Sequence, residues 1–116
     1  MTIEVKLYNF LKSKLDSDIV VCLERPETKP DYYVLIERTG GNETEHISDA
    51  TFDIISKAPS LYKAIELDEI VRNAMDEFVG VDNVSSCVYN AGGNWTDTTT
   101  HEYRYHSTFL IKYMED

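Results

Sequence analysis

The apolar positions of this chain change period several times, and each change marks an element. Ile3, Leu7, Phe10, Leu11 and Leu15 recur at helical spacing, with Lys6, Lys12 and Lys14 mostly on the other side. Thr2 stands ahead of them as an N-cap, so the pattern predicts a first helix ending near Asp16. Ile19 to Leu23 then form a continuous apolar run of strand length, and Pro26 and Pro30 bracket a charged loop that cannot be helical throughout. Tyr32, Val34 and Ile36 alternate with Tyr33, Leu35 and Glu37, which predicts a strand ending at Gly40-Gly41 and a polar turn through Asn42, Glu43 and Thr44. From His46 to Lys57 the alternation resumes, with Ala50, Phe52 and Ile54 on one face and Thr51 and Asp53 on the other. The two strands make a hairpin with a tip expected to be mobile.

Pro59-Ser60 stops that strand and starts a helix, along which Ala64, Leu67, Val71, Ala74, Met75 and Phe78 fall on one stripe. Gly80 is placed to end it in a left-handed conformation. Two further strands follow, Val84 to Asn90 and Tyr103 to Tyr113. In the second, Tyr103, Tyr105, Phe109, Ile111 and Tyr113 share a face, opposite Arg104, His106, Thr108, Leu110 and Lys112. The order α-β-β-β-α-β-β over residues 1–116 predicts a single α+β domain. Its sheet should be mostly antiparallel, with four to five strands and two helices packed on one face. Phe52, Val71, Phe78 and Phe109 are the expected core.

Composition narrows the function. A chain of 116 residues that is 42% hydrophobic builds one core. Its longest apolar runs fall far short of the roughly 20 residues that cross a bilayer. The charges at Glu4, Lys6, Lys12, Lys14 and Asp16 argue against a secretory signal and for synthesis in a cytoplasm. A net charge of −10, from 21 acids against 11 bases, repels a phosphate backbone. Sequence-specific nucleic-acid binding is therefore disfavoured, while passive proximity to DNA stays open. Cys22 and Cys87 lie in apolar stretches and read as buried thiols in a reducing compartment. The sequons at Asn42, Asn83 and Asn94 read as polar loop chemistry.

Chemistry-bearing patterns are sparse. His101 and His106 are five apart, which on a strand sends them to opposite faces rather than to one metal. Neither Gly40-Gly41 nor Gly92-Gly93 is followed by Lys-Ser/Thr, and both pairs read as turn glycines rather than phosphate loops. Glu66, Asp68 and Glu69 read as the solvated face of the second helix. No Gly-x-Ser-x-Gly turn or Cys-His constellation appears. The expectation is a protein without catalytic residues, metal or cofactor. What remains is the polar stretch ahead of the last strand. Its Thr98-Thr99-Thr100 has β-propensity without hydrophobicity, suited to a hairpin that protrudes beyond the core, with little of its own subunit to pack on.

Three motifs occur in one order: "ERTGG" (Glu37–Gly41) with His46 five residues on, "APSLYKAIELDEIVRNAM" (Ala58–Met75), and "DTTTHEYRY" (Asp97–Tyr105). That succession, over roughly residues 32 to 113, resembles the tail terminator, or tail completion, proteins of long-tailed bacteriophages and prophages. The resemblance implies a structural virion protein at the tail–neck junction, assembled in the bacterial cytoplasm. Copies of a small α+β subunit would close into a ring, usually of six, that caps the head-proximal end of the tail tube. Such a ring stops tube polymerisation and offers a joining surface to the neck or head-completion protein. DNA passes through its hole without specific binding. On this footing Gly40, Gly41, Asn42, Thr44, Trp95, Thr98, Thr99 and Thr100 are candidate contacts with a neighbouring subunit or the tube. Glu43, Glu45 and Asp97 are candidates for lumen charge. The alternatives are another neck or head-completion adaptor, a small hydrolase needing a pocket with paired titratable groups, and a monomeric module that binds a host protein.

Overall fold

The computed structural model describes residues 1–44 and 47–114. Both helices begin where a hydroxyl can hold a free first-turn amide. Thr2 Oγ1 accepts from the Val5 amide at 3.3 Å and opens α1 (Ile3–Lys14). Ser60 Oγ accepts from the Lys63 amide at 3.2 Å and opens α2 (Leu61–Met75). The strands are β1 (Val20–Cys22), β2 (Tyr33–Thr44), β3 (Ile47–Ala58), β4 (Val84–Asn94) and β5 (Tyr103–Tyr113). They form a five-stranded sheet in the order β1-β2-β3-β5-β4, antiparallel except for the parallel β1–β2 pair. The fold is α+β, with the element order the sequence predicts.

The helices cover one face of this sheet. Ile3, Leu7 and Leu11 of α1 and Leu67, Val71 and Met75 of α2 are buried with Val34, Ile36, Phe52, Ile54, Phe109 and Ile111 beneath them. Phe52 and Phe109 are register partners at the centre. Phe52, Val71 and Phe78 are each 0% exposed and Phe109 2%, so the expected core is the core. A smaller cluster of Tyr33, Leu35 and Ile55, backed by Cys22, lies on the opposite face.

Several boundaries differ from the pattern's expectation. β2 does not end at the glycine pair: it shifts register between Arg38 and Gly40 and continues through Asn42, Glu43 and Thr44, which pair with β3. β4 likewise passes its own pair and ends at Asn94, with a shift between Tyr89 and Ala91. Gly40-Gly41 and Gly92-Gly93 are therefore strand glycines beside bulges, not turn glycines. At Gly41, φ is +150° and a Cβ would collide with the Asp49 carbonyl. A Cβ on Gly92 would sit 2.5 Å from the His106 carbonyl oxygen.

α2 stops at Met75, not at Gly80; Phe78–Gly80 form a short 3-10 turn, and the left-handed backbone falls at Asn83, with φ 68°. Both cysteines are half-buried rather than buried, and both are free thiols, on opposite faces of the sheet. Burial pushes each up to about 11.

Candidate docking surface

The sheet face away from the helices is closed at one end and open at the other. At the closed end β4 and β5 continue as an arm beyond Asn94. The Trp95 amide donates to the Arg104 carbonyl at 2.9 Å, and Asp97 and Glu102 exchange backbone bonds of 3.0 and 3.1 Å. Thr98, Thr99 and Thr100 do not lengthen the strands; they form the turn itself. Asp97 Oδ1 accepts from the Thr99 amide at 2.9 Å and the Thr100 amide at 3.3 Å, and these bonds hold its carboxyl below the usual carboxylate range. His101 closes the turn in a left-handed conformation, φ 56°.

This arm is not free of its own subunit. Glu102 accepts from the Tyr33 phenol at 2.7 Å and from Arg25 Nη2 at 3.0 Å, which ties the turn to the loop after β1. Burial first, then the Glu102 bond, pushes the Tyr33 phenol up to about 12. Next to this anchor, His106 Nδ1 lies 2.8 Å from Asp53 Oδ1, Thr108 donates to the same oxygen at 3.3 Å, and Trp95 packs on the His106 ring at 4.5 Å. Asp53 thus bridges β3 to β5, and Trp95 is left about half-exposed. The cluster joins β3 to β5 through side chains.

At the other end of the same face, Val88, Leu110 and Ile47 remain 53%, 42% and 53% exposed. A shallow groove there runs between Asn42, Thr51, Val88 and Leu110. No helix lies over it, because both helices pack on the reverse face.

The candidate contact residues divide between the two ends. Gly40, Gly41 and Asn42 are exposed on the outer half of β2, and Thr44 is its last residue. Trp95, Thr98, Thr99 and Thr100 are exposed on the arm at the opposite end. β3 runs from beside Tyr113 to beside Tyr103, which sets the two groups apart by most of its 12 residues. The candidate lumen acids divide in the same way: Glu43 pairs with Ser48 at one end, and Asp97 caps the turn at the other. Glu45, like His46, lies outside the described residues.

One acid departs from its expected place. Glu66 and Glu69 are exposed, but Asp68 is 3% exposed and accepts a 2.5 Å bond from the fully buried Ser107 hydroxyl. Desolvation raises its pKa, opposed by the Ser107 bond and by Arg72. Arg72 itself lies over the Tyr89 ring at 3.9 Å, and Asp68, Arg72, Tyr89 and Tyr105 line a cleft between α2 and the sheet. No group of three or more His, Cys, Asp or Glu side chains suited to a metal occurs among the described residues. No helix among them is long and apolar enough to cross a membrane.

No protein-family model matches this chain, and no curated protein sequence matches it significantly.

Proposed function

We propose that the chain is a structural subunit of the tail-terminator type, acting through assembly and not through catalysis. The observation that carries this reading is the one-sided sheet. Two helices seal one face, while the other leaves Val88, Leu110, Ile47 and Trp95 about half in water. Val88, Leu110 and Ile47, grouped at one end of that face, form an apolar patch of the kind another chain covers. The order of the three motifs supplies the kind of assembly. In it, copies form a ring, hexameric as in the resembled family, whose partners are the tail tube on one side and the neck or head-completion protein on the other.

The net charge of −10 agrees with a ring through which DNA slides without sticking. Because Glu43 and Asp97 sit at opposite ends of the sheet, acids repeated by symmetry would make two separated bands of charge, not one.

The test is tube growth. Purified protein is added, well below equimolar, to polymerising tube protein encoded beside its gene, and tube lengths are measured by electron microscopy. The proposal expects shorter tubes, with added protein found at one end only. Unchanged lengths, with the protein bound instead to DNA-filled heads, would make it a head-completion adaptor.

A further inference from the structure

Among the described residues, β4 and the part of β2 beyond β1 each lack a strand partner on one side, and these two edges match each other. β1 pairs only with Tyr33–Leu35, so among the described residues the remainder of β2, residues 36–44, has no strand on its outer side. At the far end of the sheet β4 pairs only with β5, and its 11 residues form the second edge. Strand edges of this kind leave backbone donors and acceptors open to another strand, although the Gly40 carbonyl accepts from Arg38 Nε at 3.3 Å. Proteins usually blunt such edges with short strands, charge, bulges or proline. The β2 edge carries Glu37, Arg38 and Glu43, but β4 is long, with no charge and no proline. It lies within the longest stretch of the chain free of Lys, Arg, Asp and Glu, residues 83–96, broken only by its bulges.

Following the register across the sheet shows that the edges occupy the same rows. Gly41 is opposite Ala50, Ala50 opposite Ile111, and Ile111 opposite Cys87. Two rows on, Arg38, Phe52, Phe109 and Tyr89 align, and further along Ile36, Ile54, Ser107 and Gly92. The directions also suit: three successive antiparallel pairings leave β4 running opposite to β2. A second copy placed alongside in the same orientation therefore meets β4 with the free part of β2 at one height and antiparallel.

We infer that copies of this chain join head to tail through these two edges, residues 84–92 of β4 in one copy pairing with residues 36–44 of the next. The occupant of each edge is a second copy, because the complement of each edge is the other edge of the same molecule. Contacts of this heterologous kind close into a ring when each step turns by a fraction of a circle. The shared sheet carries the open patch of Val88 and Leu110 up to Asn42 and Gly40 of the neighbour. This inference rests on the ring reading above and adds which strands make the joint.

Cysteine pairs test it. Gly40, Thr51, Leu110 and Val88 share a row, a Cβ on Gly40 meets nothing within 4 Å, and Val88 is 53% exposed. Asn42 and Ser86 form a second such pair two residues along. The double variants Gly40→Cys with Val88→Cys, and Asn42→Cys with Ser86→Cys, are oxidised beside each single variant and the unaltered chain. The native thiols, raised to about 11, react slowly in that control. At least one double variant should give a covalent ladder that ends at the ring size, while single variants stop at dimers. Light scattering on the same samples separates the failures. A ring with no ladder from either pair overturns the edge pairing alone; a monomer with no ladder overturns the ring as well.

Discussion

Asp68 shows how a residue can be misplaced by polarity and correctly placed by position. It follows Ala64 by four and precedes Val71 by three, so it stands on the apolar stripe of α2. Its character argued for solvent, but its spacing put it inward, against Ser107, which the alternation of β5 places between Tyr105 and Phe109. What the spacing could not give was the bond itself, made across 39 positions of sequence. Its raised folded-state pKa fixes a sign: the group favours folding most fully below the ordinary carboxylate pKa, and that contribution is lost as pH rises through the folded value. Asp68→Asn should therefore lose less stability than the unaltered chain between acid and neutral pH, measured as urea midpoints across that range. Parallel pH profiles would show that the carboxyl titrates normally. At the sheet centre, Phe109→Ala should cost about 3–5 kcal/mol, as a fully packed aromatic side chain does. A urea midpoint that barely moves would put that ring outside the core.

The secondary elements were legible wherever one face is buried. α1, α2, β3 and β5 follow from apolar period alone, because burial by the opposing layer imposes that period. The outer halves of β2 and β4 were not, since residues 38–42 are exposed and residues 90–94 mostly so, and nothing there forces alternation. Paired glycines in such a stretch look like turns; here one of each pair, Gly41 and Gly92, answers to the backbone of the adjoining strand, a tertiary demand that leaves no local trace. Glu102 is of the same kind, a charge in a polar loop that holds an arm in place. Glu102→Ala should lower stability by ~1.5–3 kcal/mol, the range for hydrogen bonds to a charged group. It should also speed amide exchange at residues 97–101, whereas Asp97→Ala should speed exchange at Thr99 and Thr100 while barely changing global unfolding. Unchanged exchange in both variants would mean that the turn is held by other contacts.

Across the whole molecule, strands of 12 residues, at ~3.3 Å per residue, account for the 44 Å long axis beside short axes of 25 Å. Among the described residues such a subunit presents two ends, one face without helices and two strand edges without a strand partner. The proposed lumen charge makes a prediction at this scale. Glu43→Lys with Glu45→Lys should produce assemblies that retain DNA at low salt and release it as screening increases, read by mobility shift across a salt series. DNA binding no different from that of the unaltered assembly would place both acids away from the channel. The proposed role, closing the growing end of a tail tube, is tested most directly by cryo-electron microscopy of tubes assembled in the presence of this chain. The account predicts a ring of this chain at one end of each tube, its sheets running on from copy to copy. Tubes with bare ends, and the protein left free in solution, would contradict it.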